Sequence, residues 1–117
     1  MLKKEKARSK ADVLQGTLDL MVLQTLATLG SQHGYAIAAR LEQVSAGALR
    51  LNMGTLYPAL MRLEQRGLVK GTWGTTENNR RARFYAITPA GRRELTAERS
   101  SWERMVGIMQ ALLDTEP

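Results

Sequence analysis

Cysteine is absent from the 117 residues, which excludes disulfide staples, thiolate metal sites and cysteine nucleophiles by composition alone. Histidine occurs once, as His33. A metal site built on it would have to recruit carboxylates that show no ligand spacing, so no metal and no cofactor is expected and His33 is read as structural. Aromatic residues make up only 5% of the chain, few for a surface that holds bases by stacking. No apolar run approaches the ~18 residues of a membrane span. The basic start Lys3, Lys4, Lys6, Arg8, Lys10 leads into an interrupted helical pattern and not a signal-peptide core, so the expected location is the cytoplasm. Gly71 and Gly74 stand in no Gly-x-x-x-x-Gly-Lys-Ser/Thr phosphate loop. With no nucleophile beside a base and no patterned carboxylate pair, an enzyme is not expected.

What is present is positive charge. Lys and Arg number 17 against 11 Asp and Glu, a formal net charge of +6, which points to a polyanionic partner. The 44% hydrophobic and 24% charged fractions are those of an ordinary globular chain. The length suits one domain that buries roughly two-thirds of its unfolded surface.

Along the chain, Leu14, Leu18, Met21, Val22, Thr25 and Leu29 form one helical stripe over residues 12–29, widened by Leu20, Leu23 and Leu26. Gly30 fits a left-handed C-cap, and a short link at 31–33 precedes a second helix over 34–44 with Ile37, Leu41 and Val44 inward. Residues 45–48 break the pattern, and Leu49, Arg50 and Leu51 read as a very short strand. The third helix carries Leu56, Leu60 and Leu63 inward and Arg62, Gln65 and Arg66 outward. Its start stays open between caps at Asn52 and Thr55, because Pro58 has no N–H to donate. Gly67 closes it. Two strands over 68–73 and 81–87 follow, joined by a polar tip.

Thr88 as cap and Pro89 in the first helical position open a last helix. Leu95, Trp102 and Met109 fall seven apart, and Met105 with Leu112 makes a second seven-spaced row, a short coiled-coil seam in need of a partner. Because the first helix is apolar on more than one side, Leu20 and Leu23 join Leu95, Trp102, Met105, Met109 and Leu112 as the expected interface with a second copy.

The expected fold is therefore mainly α with a small β-hairpin: a winged helix-turn-helix plus a C-terminal dimerisation helix. Its parts are a basic flexible tail at 1–11, the winged DNA-binding domain at 12–88, the dimerisation helix at 89–113 and a tail at 114–117. The third helix takes the recognition position for the major groove. Lys70, Arg80, Arg81 and Arg83 on the hairpin, against the single acid Glu77, suit phosphates or a minor groove. The alternative is a winged helix serving as a protein-interaction or RNA-binding module. The basic outward face favours nucleic acid, and the scarcity of aromatics favours DNA over RNA.

Five segments carry a family resemblance. They are Leu14, Gln15, Gly16, Thr17, Leu18, Asp19, Leu20; His33, Gly34, Tyr35; Gly54, Thr55, Leu56, Tyr57, Pro58, Ala59, Leu60; Arg80, Arg81 with Phe84, Tyr85, Ala86, Ile87, Thr88; and Ala90, Gly91. In these the chain resembles the PadR family of bacterial transcriptional regulators, from its first helix to Leu113, in the short-tailed branch. The resemblance implies a homodimeric repressor that binds an inverted-repeat operator and often responds to a small aromatic or cationic effector. By matching position it implies DNA contacts from Thr55, Tyr57 and the neighbouring Pro58 and Arg62, with Tyr35 near the backbone and the wing cations on phosphates. The place of Trp102 resembles that of an aromatic lining an effector pocket, although the seven-residue stripe reads it as interface packing.

Overall fold

The computed structural model describes the backbone of residues 2–116 and the side chains of residues 16–116. Its elements run α1 (Leu2–Leu29), β1 (Gln32–His33), α2 (Gly34–Val44), α3 (Met53–Gln65), β2 (Val69–Thr75), β3 (Arg81–Ile87) and α4 (Pro89–Leu113). The order is that of a winged helix-turn-helix with a long final helix. α1 begins at Leu2 and not at residue 12, because the Lys, Glu, Ala and Arg residues ahead of the apolar stripe are strong helix formers uninterrupted by Gly or Pro. The side chains of the expected basic tail, and of Leu14, lie outside the described residues.

The apolar stripes of three helices meet over the sheet. Leu18, Val22 and Leu26 of α1, Ile37 and Leu41 of α2, and Leu56, Leu60 and Leu63 of α3 enclose Leu68, Val69 and Tyr85. Thr25, the polar member of the first stripe, is buried and donates its hydroxyl to the Met21 carbonyl at 2.7 Å. Val44 and Leu29, both expected on apolar stripes, are 68% and 40% exposed; the buried faces of α2 and α1 run out one turn earlier, at Leu41 and Leu26.

The sheet is antiparallel with order β1-β3-β2. Its third strand comes from the segment expected as a link: Gln32 pairs with Tyr85 and His33 with Phe84. The strand expected at 49–51 does not form. Leu49 and Leu51 are instead half-buried and pack against the core. The wing proper registers Val69 with Ile87 through Thr75 with Arg81, so its first strand runs on past the expected end at Trp73.

α3 settles the open boundary in favour of Asn52, whose Oδ1 accepts the Thr55 N–H at 2.9 Å. Pro58 sits inside the helix and leaves the Gly54 carbonyl without its helical partner. Gly54 is exposed, so water can take that place. The helix ends at Gly67, φ +74°, where Gly67 N–H donates to Glu64 and Leu68 N–H to Leu63, both at 2.9 Å. This paired arrangement satisfies the last carbonyls and turns the chain into β2.

α2 ends in the same way, with Gly47 N–H donating to Glu42, but Ala46 stands in the left-handed position at φ 52°. A methyl-bearing residue pays about 1–2 kcal/mol there, offset in part by the freedom that glycine loses on folding. Ala46→Gly should therefore stabilise the protein by about 0.5–1 kcal/mol, read as a rise in urea midpoint at unchanged m-value.

α4 is seated on that α3–β2 turn. Thr88 caps it: Oγ1 accepts the Gly91 N–H at 3.0 Å and donates to the Gly67 carbonyl at 2.7 Å. The Thr88 N–H donates to Leu68 at 3.0 Å, and Gly91 is buried against the same carbonyl. Among the described residues no helix is long and apolar enough to cross a membrane.

Candidate nucleic-acid interface

Burying Leu56, Ala59, Leu60 and Leu63 forces the opposite face of α3 outward, because residues three and four apart share a face. That face presents Thr55, Tyr57, Pro58 and Met61 to solvent. Thr55 also closes the cap, its hydroxyl donating to Asn52 Oδ1 at 3.2 Å. Tyr57 is 39% exposed and lies over Gly34, where an added Cβ would stand 3.3 Å from the tyrosine Cε1, Cζ and Oη atoms. The glycine at the start of α2 thus makes room for a ring that is half packed and half presented. Tyr35, next to it, is 67% exposed.

Wing cations fall into two groups. Lys70, Arg80 and Arg81 are exposed, with the Arg81 guanidinium 4.9 Å from the ring centroid of Trp73. Arg83 is tied down: its Nη2 donates to Glu64 Oε2 at 2.6 Å, with both side chains two-thirds covered. That bond, with the carboxylate's charge, raises the Arg83 pKa above its ordinary value. Arg62 likewise turns back to Asp19 of α1 at 3.4 Å. The structure therefore brings Tyr35, Thr55, Tyr57, Pro58, Lys70, Arg80 and Arg81 to the open surface and engages Arg62 and Arg83 within the domain. Neither engagement was visible in sequence, since the partners lie 43 and 19 residues away.

Trp73 is the residue that sequence reading missed. It is 59% exposed on the wing, flanked by the guanidinium groups of Arg81 and Arg83 at 4.9 and 5.9 Å. The alternating register that put Arg81 and Arg83 on one face was the signal available. Between the wing and the start of α2 an open groove of roughly 820 Å³ is lined by His33, Tyr35, Glu77, Arg80, Arg81 and Phe84, among others. His33 has structural work: it caps α2 by accepting the Ala36 N–H at 3.4 Å and meets Phe84 edge-on, centroids 5.3 Å apart. Among the described residues no three metal-binding side chains come together.

The expected interface residues separate as well. Leu23 is 1% exposed and belongs to the core, so a second copy cannot reach it. Leu20 is half-buried, and Leu95 packs against the core with its inner side. Further along α4, Trp102, Met105, Val106, Ile108, Met109, Leu112 and Leu113 are 46–72% exposed. A cleft of about 310 Å³ between α1 and α4 is lined by Gly16, Thr17, Leu20, Glu98, Ser101, Trp102 and Met105.

Comparison with known proteins places this arrangement. Residues 22–97 match the transcriptional regulator PadR-like family. A 37.1 kDa transposon protein of Streptomyces fradiae is 46% identical over 88 residues, which are 75% of this chain and 24% of that protein. A transcriptional regulator of Mycobacterium tuberculosis is 39% identical over 64 residues, 55% of this chain and 59% of the relative. The chain therefore spans a quarter to three-fifths of the length of these two relatives. The crystal structure of a PadR family transcriptional regulator from Eggerthella lenta superposes with a TM-score of 0.76 at 27% identity, covering 99% of both chains.

Proposed function

This chain belongs to the PadR-like family of transcriptional regulators, a family of regulators and not of enzymes, and from that premise we propose that it is a homodimeric, sequence-specific DNA-binding repressor of the cytoplasm. Residues 12–88 form the reading head and 89–113 the dimerisation helix. The observation that carries the reading is the adjacency of two different surfaces: an outward α3 face with Thr55, Tyr57 and Pro58, and a wing with exposed Lys70, Arg80 and Arg81. Side chains on the helix suit base edges in a major groove, and the cations suit the flanking phosphates.

A second copy joined through α4 carries a second reading head, and two heads related by a dyad read an inverted repeat with half-sites about 34 Å apart. Trp102, beside the α1–α4 cleft, is the contact offered to an aromatic effector, should one relieve repression. Selection of bound fragments from genomic DNA, followed by footprinting of the recovered site, tests the reading. The expected result is a pseudo-palindrome protected over two successive major grooves. Failure to enrich any motif overturns it in favour of an interaction module.

A further inference from the structure

Glu64 stands in the last turn of α3, and its Oε2 accepts from two groups of the wing. Gly71 N–H lies at 3.2 Å and the Arg83 guanidinium at 2.6 Å, the latter a short charge-assisted bond. Arg83 in turn pairs across the hairpin with Trp73 and holds its guanidinium carbon 5.9 Å from the indole centroid. Arg81 flanks the same ring at 4.9 Å. By strand alternation Arg81, Arg83 and Trp73 share the sheet face of Val69 and Tyr85, the face that meets α3. Gly71 is on it too, and its bare Cα is what admits Arg83: a Cβ there would stand 2.5 Å from the arginine Nε and 2.8 Å from its Cζ. A file of side chains thus runs from α3 to the wing through Glu64, Arg83, Trp73 and Arg81.

We infer that Glu64 is a positioning residue for DNA binding: through Arg83 and Trp73 it holds the Arg81 guanidinium of the wing in register with the helix that reads the bases. The inference rests on the DNA-binding reading above. It makes Arg83 a strut and Arg81 the group that meets a phosphate. It also accounts for an acid on an element that faces a polyanion, where an unengaged carboxylate would only repel. The pair keeps a third of each side chain in solvent, where screening limits what an ion pair adds to stability, so the geometry it imposes is the more important consequence here.

The test turns on a sign. Glu64→Gln raises the formal charge of the chain from +6 to +7, and on charge alone every DNA complex tightens. Positioning predicts the reverse. Fluorescence anisotropy over a salt series, on the full chain, uses the duplex recovered by the selection above and a random duplex of equal length. Glu64→Gln should bind the recovered duplex roughly tenfold more weakly, with a salt slope shallower by about 0.9, the equivalent of a single phosphate. Gly71→Ala displaces Arg83 without changing charge and should reproduce both effects, so the outcome does not depend on how Glu64→Gln folds. Adding Arg83→Gln to Glu64→Gln should cost only the general loss of one cation, equal on the recovered and the random duplex, since one file is already broken.

If Glu64→Gln and Gly71→Ala bind as tightly as the parent at unchanged slope, the inference is overturned. The same holds if Arg83→Gln lowers the slope while Glu64→Gln and Gly71→Ala do not, which would make Arg83 the group on the phosphate. A parent chain that binds neither duplex overturns the DNA-binding reading itself, a result distinct from tight parental binding with insensitive variants.

Discussion

Gly91→Ala lowers stability by about 3 kcal/mol and the melting temperature by roughly 10–15 °C. The added methyl carbon would collide with the Leu68 carbonyl oxygen and stand 2.7 Å from Ile87 Cγ1. The obstacle is backbone, which cannot swing aside as a side chain does. Leu68 is anchored on both sides: its N–H closes the end of α3 on Leu63, and its carbonyl accepts the Thr88 N–H. Relief therefore means lifting the start of α4 off the α3–β2 turn and stretching the Thr88 bonds to Gly67 and Leu68. Thermal unfolding followed by circular dichroism measures the loss. A midpoint within about 3 °C of the parent would show that α4 seats loosely and that the close approach is not structural.

The second large effect concerns the far half of the same helix. Val106→Glu with Met109→Glu should leave a folded protein that scatters light as a 13.0 kDa species and binds its operator roughly 10²- to 10⁴-fold more weakly. Both side chains are about half exposed, so the substitutions cost the protomer little. In a two-fold interface each residue is used twice, so four carboxylates are brought together where apolar side chains met. On the proposed dimer reading the affinity falls because each reading head would then bind alone, without the effective concentration a twin supplies. Retention of a dimer, or undiminished operator binding by a monomer, would remove α4 from the interface.

In the helices the apolar period reported the buried faces except at their last turns, where Val44 of α2 and Leu29 of α1 are 68% and 40% exposed. The buried faces of α1 and α3, the Gly30 and Gly67 ends, and the Thr88, Pro89 start of α4 all follow from side-chain period and cap chemistry. β1 did not, because two residues cannot display an alternation, and its pairing is decided by Tyr85 and Phe84, far along the chain. Leu49 and Leu51 show the converse error: apolar alternation identifies inward residues, but a strand also needs a neighbour to bond to, and this segment pairs with none.

Charge was the least legible part of the candidate site. A tally of cations treats Arg62, Arg81 and Arg83 alike. Folding gives Arg62 to Asp19, Arg83 to Glu64, and sets Arg81 against Trp73. Burial was similarly ambiguous on α1, where an apolar position beside the stripe could turn either way; Leu23 went to the core and Leu20 stayed near the surface.

The seat of α4 on the Gly67–Leu68 turn also makes that helix a lever. With 25 residues at 1.5 Å each it is about 37 Å long, so a tilt of about 5° at Gly91 moves its far end by about 3 Å. One base-pair step along DNA is about 3.4 Å. The fulcrum lies in a close backbone approach and the load at the exposed far end, so in the proposed dimer the reach between reading heads would be governed by angle, with a mechanical gain that side-chain adjustments at the tip do not have.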